Sequence, residues 1–286
     1  MNWYKVAEEA AVSVTSAEFG AMTREEKVAL ACSERITPET QRLFFTEKYE
    51  GYEGKDKERI YGALASLARN TSITPATQLM FFTEEYKEKG TILWYLARNE
   101  SIAPEIQPLF FTEPHEVGYA VLCNLAGNPS ITLETQRLFF TEEHKEKGSV
   151  LRYLSYNRNI HPLTKKLFFT ESYENKSGVL TWLVANTEIP PESQRLLFTQ
   201  EYSGKYWTLR ALTDNPSIAP EVQPLFFTER YENKGKVLEY LAENPSFLRG
   251  NFTRNDWLLI KKVVRGKTKL LVLRNRLEQI YGILFK

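Results

Sequence analysis

A phrase ending in Phe-Thr returns seven times along this chain, with its threonine at Thr46, Thr83, Thr112, Thr141, Thr170, Thr199 and Thr228. After a first interval of 37 residues, every interval is 29. A second marker keeps the same beat, at Asn70, Asn99, Asn128, Asn157, Asn186, Asn215 and Asn244. The first interval therefore contains an eight-residue insertion, near residues 50–58. So strict a period means structurally equivalent units. A 29-residue unit cannot bury its own apolar surface, so the copies must stack on one another.

Each unit reads as two helices. In "TILWYLARN", Ile92, Leu93, Leu96 and Ala97 share one helical face. Asn99 follows as a residue just past a helix end, where Asn tolerates the left-handed conformation. Pro129, Pro216 and Pro245 directly follow three of these asparagines and stop the helix. In "SITPATQLMFFTEEY", Thr74 is placed to cap a short second helix and Pro75 to fill its first position. Neither segment alternates with period two, so strands are not expected. The recurring asparagines are expected to form a ladder across the loops, each satisfying backbone groups of its own or the next unit.

Stacking also accounts for the paired phenylalanines. Neighbouring residues on a helix point about 100° apart. Phe139 can therefore fill the seam with the preceding unit while Phe140 faces its own unit, or the reverse. Pro108 and Pro224 follow the glutamine in "PEIQPLFF" and "PEVQPLFF", where a regular α-helix would lose a hydrogen bond. The first turn there is expected to be loose or 3₁₀, with regular helix starting near the Leu-Phe-Phe.

The phrases "LAGNPSITLETQRL" (125–138) and "LTDNPSIAPEVQPL" (212–225) resemble the variant leucine-rich repeat group, a branch of the HEAT-like α-solenoids. "TEPHEVGYAVLCNLAGN" (112–128) is similar to the start of a HEAT helix. The resemblance covers about residues 24–247; the 29-residue length and the Phe-Phe-Thr depart from it. It implies a curved helical array that binds macromolecules, with the first helix of each unit lining the concave side, and it implies no reaction. An iron–sulfur cluster is known in the group, but four thiolates usually hold one. Cys32 and Cys123 cannot supply four. No cofactor is expected.

The ends differ from the array. Residues 1–32 read as an N-terminal cap and degenerate half-repeat, with Leu30 aligned to Leu96 and Ser33 in the asparagine position. The array runs over 33–247. Residues 248–286 leave the period, and "NDWLLIKKVV" and "KLLVLRNRLEQIYGILF" read as two cap helices. From Arg249 onward ten Lys and Arg face only Asp256 and Glu278, while the residues before hold 27 basic and 34 acidic side chains. The near-neutral total of +1 thus hides a basic end, centred on Lys261, Lys262, Arg265, Lys267 and Lys269. Such an end can grip phosphates or an acidic protein surface. No apolar run approaches the roughly 20 residues of a membrane span. Glu8 and Glu9 stand where a signal peptide needs its apolar core. Two cysteines are no disulfide framework, so a reducing, cytoplasmic setting is expected.

Chemistry-bearing motifs are sparse. His115 and His144 occupy the slot of Tyr86, Tyr173, Tyr202 and Tyr231, and read as tyrosine substitutes with a polar tip. A metal site would need further ligands that the slot does not provide. Glu47, Glu84, Glu113, Glu142, Glu171 and Glu229 recur beside the threonine and read as helix-start charges. No glycine-rich phosphate loop or Ser-x-Gly elbow occurs. A HEAT-like DNA glycosylase would need a poised acid in an aromatic pocket, which cannot be identified.

Comparison between copies locates a candidate surface. The slots of Leu93 and Leu96 are leucine in all seven complete units. The slot of Trp94 instead becomes Ala65, Cys123, Arg152, Thr181, Arg210 and Glu239. The slot of Arg98 becomes Arg69, Gly127, Tyr156, Ala185, Asp214 and Glu243. The two slots lie i and i+4 on one helical stripe. Beside them stand Tyr95, Tyr153, Trp182 and Tyr240. The candidate partner-binding residues are Trp94, Tyr95, Arg98, Arg152, Tyr156, Trp182, Arg210 and Asp214. The expectation is an all-α solenoid of about seven repeats with helical caps, serving as a non-enzymatic, protein-binding scaffold or inhibitor. Nucleic-acid binding through the basic end is the alternative, and no membrane partner is expected.

Overall fold

The computed structural model describes residues 11–46, 55–84, 89–112, 118–142, 146–186 and 188–244, with positions 275 and 279. Their regular secondary structure is helical, apart from one isolated parallel bridge between Val12 and Ile36. They fall into two compact units, Met1–Asn159 and Ile160–Lys286. The expected C-terminal cap pair and its lysines, and the slots of His115 and His144, lie outside the described residues.

In the first unit, α1 (Ser16–Ala21) precedes the first helices α2 (Arg24–Ala31), α4 (Lys55–Arg69), α6 (Lys89–Ala97), α8 (Gly118–Gly127) and α10 (Lys147–Ser155). The second helices α3 (Pro38–Thr46), α5 (Pro75–Thr83), α7 (Leu109–Thr112) and α9 (Leu133–Thr141) alternate with them. The second unit has first helices α12 (Lys176–Asn186), α14 (Lys205–Asp214) and α16 (Lys234–Glu243). Its second helices are α11 (Pro162–Thr170), α13 (Pro191–Thr199) and α15 (Leu225–Thr228). Within each unit, successive first helices pack on one another in a row, and each second helix packs on the first helix that follows it. This is the solenoid-like repeat packing that the period demands. The insertion is expressed in part as a longer helix, since α4 has 15 residues where α6 has 9.

The leucine slots form the core. Leu67, Leu93, Leu96, Leu125, Leu151, Leu154, Leu209, Leu212, Leu238 and Leu241 are wholly excluded from solvent. The paired phenylalanines make the seams, and in four places a second Phe meets the next copy's first Phe edge-on. Phe45–Phe81, Phe82–Phe110 and Phe111–Phe139 have ring centroids 4.9 Å apart in the first unit, and Phe198–Phe226 4.8 Å apart in the second. Phe139 therefore faces back into the preceding copy, and the second Phe of a pair faces forward. Edge-to-face geometry adds to plain area burial because ring edges are positive and faces negative.

Buried polar side chains stitch the copies together. Asn99 Nδ2 donates to the carbonyls of Ala68 and Asn70, both at 2.9 Å, and its Oδ1 accepts the Ser101 amide at 2.8 Å. Asn128, Asn157 and Asn244 repeat the donations, and Asn128 and Asn157 also the acceptance. The ladder thus joins each loop to the preceding copy, not to the next. The conformation expected of these asparagines is also corrected. Asn215 and Asn244 are extended, with φ −73°, and their amides donate back to the preceding helix end. Left-handed residues stand instead just before the first helices, at Glu146, Asn175, Gly204 and Asn233, again 29 apart.

A second ladder escaped the sequence reading. Gln107, fully buried, donates through Nε2 to the carbonyls of Ile102 and Ser130, at 3.4 and 3.2 Å. Its Oε1 accepts the Thr132 amide at 2.9 Å and the Thr135 hydroxyl at 2.8 Å. Gln41, Gln78 and Gln194 repeat most of this pattern. Thr74 caps α5 as expected, with Pro75 in its first turn. The Pro108 and Pro224 copies start with the expected tighter turn. Leu109, Phe110 and Phe111 bond back three residues, and regular helix begins only at Leu109 and Leu225.

One reading of charge is overturned. Glu84, Glu142, Glu171 and Glu229 do not start helices; each is the C-cap of a second helix. The negative end of the helix dipole makes that position unfavourable for an acid. A recurring lysine supplies the compensation. Lys147 Nζ donates to Phe140 O at 2.6 Å and Glu142 O at 3.2 Å, and Lys176 does the same at Phe169 and Glu171. Lys89, Lys205 and Lys234 take the equivalent bond to the second phenylalanine. Tyr173, Tyr202 and Tyr231 hydroxyls bond one carbonyl earlier, and burial pushes their pKa values well above the ordinary tyrosine range.

Ahead of α2, residues 12 and 14 bond to the segment around α3. Val12 N donates to Arg35 O, Thr37 N to Val12 O, and Val14 N to Thr40 Oγ1. Ser33 Oγ accepts the Arg35 amide, the local half of the asparagine's work.

Candidate partner-binding surface

The exposed aromatics gather on the first helices. Tyr119, Tyr153 and Tyr156 are exposed on or beside α8 and α10, and Trp182 and Trp207 on α12 and α14. Trp207 is the most open of them, at 56%. Large apolar side chains in contact with water are a mark of an interface. On the second helices only Leu79 and Leu163 are comparably open among the described residues.

In the first unit three candidate side chains meet Arg69. The Arg69 guanidinium lies 3.8 Å from the centre of the Tyr95 ring, and that of Arg98 lies 4.9 Å from Trp94. Trp94 and Tyr95 contact each other edge-on at 4.9 Å. The order is therefore Arg69, Tyr95, Trp94, Arg98, spanning α4 and α6. Arg69, Tyr95, Arg98 and Asn99 line a surface cleft of about 380 Å³. Arg69 belongs to this cluster although the variable-slot comparison did not select it. The signal for it was its place in the Arg98 slot. Arg152 Nε donates to Tyr156 Oη at 3.4 Å, a separate exposed pair on α10.

In the second unit Arg210 lies 4.6 Å from Tyr240 and 5.9 Å from Trp207, and Trp207 contacts Tyr206. The Arg210 Nε is buried without a hydrogen-bond partner. Trp182 and Asp214 are exposed on α12 and α14. Trp207, which no slot comparison chose, sits one turn before Arg210. The variable stripe is not uniformly open, since Ala65 and Cys123 are buried in the Trp94 slot. Burial pushes the Cys123 thiol up to about 12, far from a nucleophile's range.

Ring contacts set these arginines apart. Among the described residues no carboxylate lies within ion-pair distance of Arg69, Arg98 or Arg210. Ring faces, not acids, position them. A guanidinium stacked on a ring keeps its in-plane N–H donors free for a partner. No group of three or more His, Cys, Asp or Glu that could hold a metal ion occurs among the described residues. No helix among them is long and apolar enough to cross a membrane.

An all-α repeat protein with an arginine–aromatic face is the class that this fold and surface define. No protein-family model, no curated protein and no solved structure matches the chain.

Proposed function

We propose that this protein is a non-enzymatic scaffold or inhibitor of the HEAT-like, variant leucine-rich kind, which binds another protein on the face of its first helices. The observation that carries the reading is the gathering of exposed aromatics and acid-free arginines on those helices. Trp, Tyr and Arg are the residue types that supply most interface hot spots, because each buries much area and keeps a polar handle. A cytoplasmic setting fits its two free cysteines.

The test is capture of partners from the native host by the full chain, followed by the same capture with Trp94→Ala, Arg152→Ala and Arg210→Ala. Each substitution is expected to leave the melting temperature within a few degrees and to weaken binding by about 2 kcal/mol or more. Undiminished binding by all three, with loss on substituting Leu79 and Leu163, would put the interface on the other row of helices. The alternative reading, nucleic-acid binding through the basic C-terminal stretch, rests on the ten basic residues counted from Arg249.

A further inference from the structure

We infer that the cleft at Arg69, Tyr95 and Arg98 takes an extended acidic peptide, with carboxylates three residues apart on the two guanidinium groups. This rests on the protein-binding reading above and names the chemistry of what is bound.

Three observations lead there. First, the two arginines are held by Tyr95 and Trp94 and have no carboxylate within ion-pair distance among the described residues. Both side chains are exposed, so their guanidinium edges are open to an anion from a partner. Their first-helix slots in this unit, from Ala65 to Tyr156, contain no acid at all. Second, the ring geometry orients the guanidinium groups. Arg69 covers a face of Tyr95 and Arg98 a face of Trp94. These rings are also packed edge-on against each other. A carboxylate needs only the guanidinium edge, which the stacking leaves free. Third, the spacing selects the peptide conformation. Arg69 and Arg98 are equivalent positions on adjacent first helices, which pack roughly 8–10 Å apart. In a polyproline II strand, residues i and i+3 face the same side, about 9 Å apart. In a β-strand the same two residues face opposite sides. A segment of the type Glu-Pro-Pro-Glu, laid across α4 and α6, therefore meets both arginines at once.

The test uses the full chain and three fluorescein-labelled twelve-residue peptides, read by anisotropy at physiological salt. One carries Glu-Pro-Pro-Glu in a Gly/Ser frame, one Gln-Pro-Pro-Gln, and one two adjacent glutamates. A labelled twelve-nucleotide single-stranded RNA is the fourth probe. The first peptide is expected to bind at least tenfold more tightly than the other two peptides and the RNA. R69Q/R98Q, whose altered side chains are exposed, is expected to lose this preference with an unchanged circular dichroism spectrum. Arg98→Lys keeps the charge and removes the planar fork, and is expected to weaken binding several-fold. Equal binding of the three peptides, tighter RNA binding, or full affinity in R69Q/R98Q overturns the inference. If R69Q/R98Q also captures native partners normally while Arg210→Ala does not, the acidic-peptide site fails and the protein-binding reading survives.

Discussion

Asn70, Asn99, Asn128 and Asn157 each hold three backbone groups with one side chain. Asn157 donates to Ala126 and Asn128 and accepts from the Asn159 amide, at 2.7–2.9 Å, while almost wholly buried. An aspartate could not donate, and a glutamine is one methylene too long to reach its own i+2 amide. Asn157→Ala would strand these groups away from water, at a cost of about 1–3 kcal/mol. Urea unfolding should show that loss, with partner binding retained under conditions where the variant stays folded. A variant as stable as the natural chain would mean that the recurrence has another cause.

Helices in this protein are matched across copies as well as within them. Lys165 stands where other copies have the ladder glutamine. It still donates to the equivalent carbonyl, Glu188 O at 2.8 Å. A lysine cannot accept, however, and the residue 25 positions on, which donates its amide to Gln78, Gln107 and Gln194, is here Pro190. A missing acceptor is thus met by a missing donor. Lys165→Gln alone should recover only part of the pattern, because its Oε1 would meet a proline where other copies supply an amide. Combined with Pro190→Thr it should recover the bond, and a double-mutant cycle should give a favourable coupling of about 1 kcal/mol. Simple additivity would refute the matched exchange. The N-terminal helices carry a different device. Glu18 and Glu26 close capping boxes with Thr15 and Thr23, and these hydrogen bonds hold both carboxyls below the ordinary glutamate range. Their contribution is therefore complete above the ordinary carboxylate pKa and is lost as pH falls through the lowered value. Hydrogen-exchange protection in α2 should drop on acidification in the natural chain and stay flat in Glu26→Gln, which keeps an acceptor but not the charge.

At the scale of the whole molecule, charge separation decides between binding modes. A nucleic acid meeting Lys261, Lys262, Arg265, Lys267 and Lys269 gains from counterion release, but acids outnumber bases in the preceding 248 residues. Nucleic-acid affinity is expected to be weak and to collapse between low and physiological salt, whereas protein binding survives through apolar contacts. Labelled DNA and RNA titrated at two salt concentrations, against a variant with all five charges removed, check this. Tight binding at physiological salt that depends on these five residues would make nucleic-acid recognition the primary function.

The period, the helical pairs, the buried leucines and the tight turns at Pro108 and Pro224 were legible because equivalent residues repeat every 29 positions and helical spacing needs no knowledge of neighbours. The reach of each polar side chain was not. Asn157 and Gln107 bond backbone groups 23 to 31 residues away, and Lys147 caps the helix before its own. Recurrence marks such residues as important without saying which carbonyl they meet. The glutamates after the threonine illustrate the limit, since the same spacing suits a helix start or a helix end, and only the packed chain distinguishes them. The candidate surface divides the same way. Variation among copies pointed to Trp94, Arg98 and Arg210, because that comparison is local. The stacking of Arg69 on Tyr95 and of Arg210 on Tyr240 joins side chains from adjacent copies, and close packing of the first helices alone brings them together.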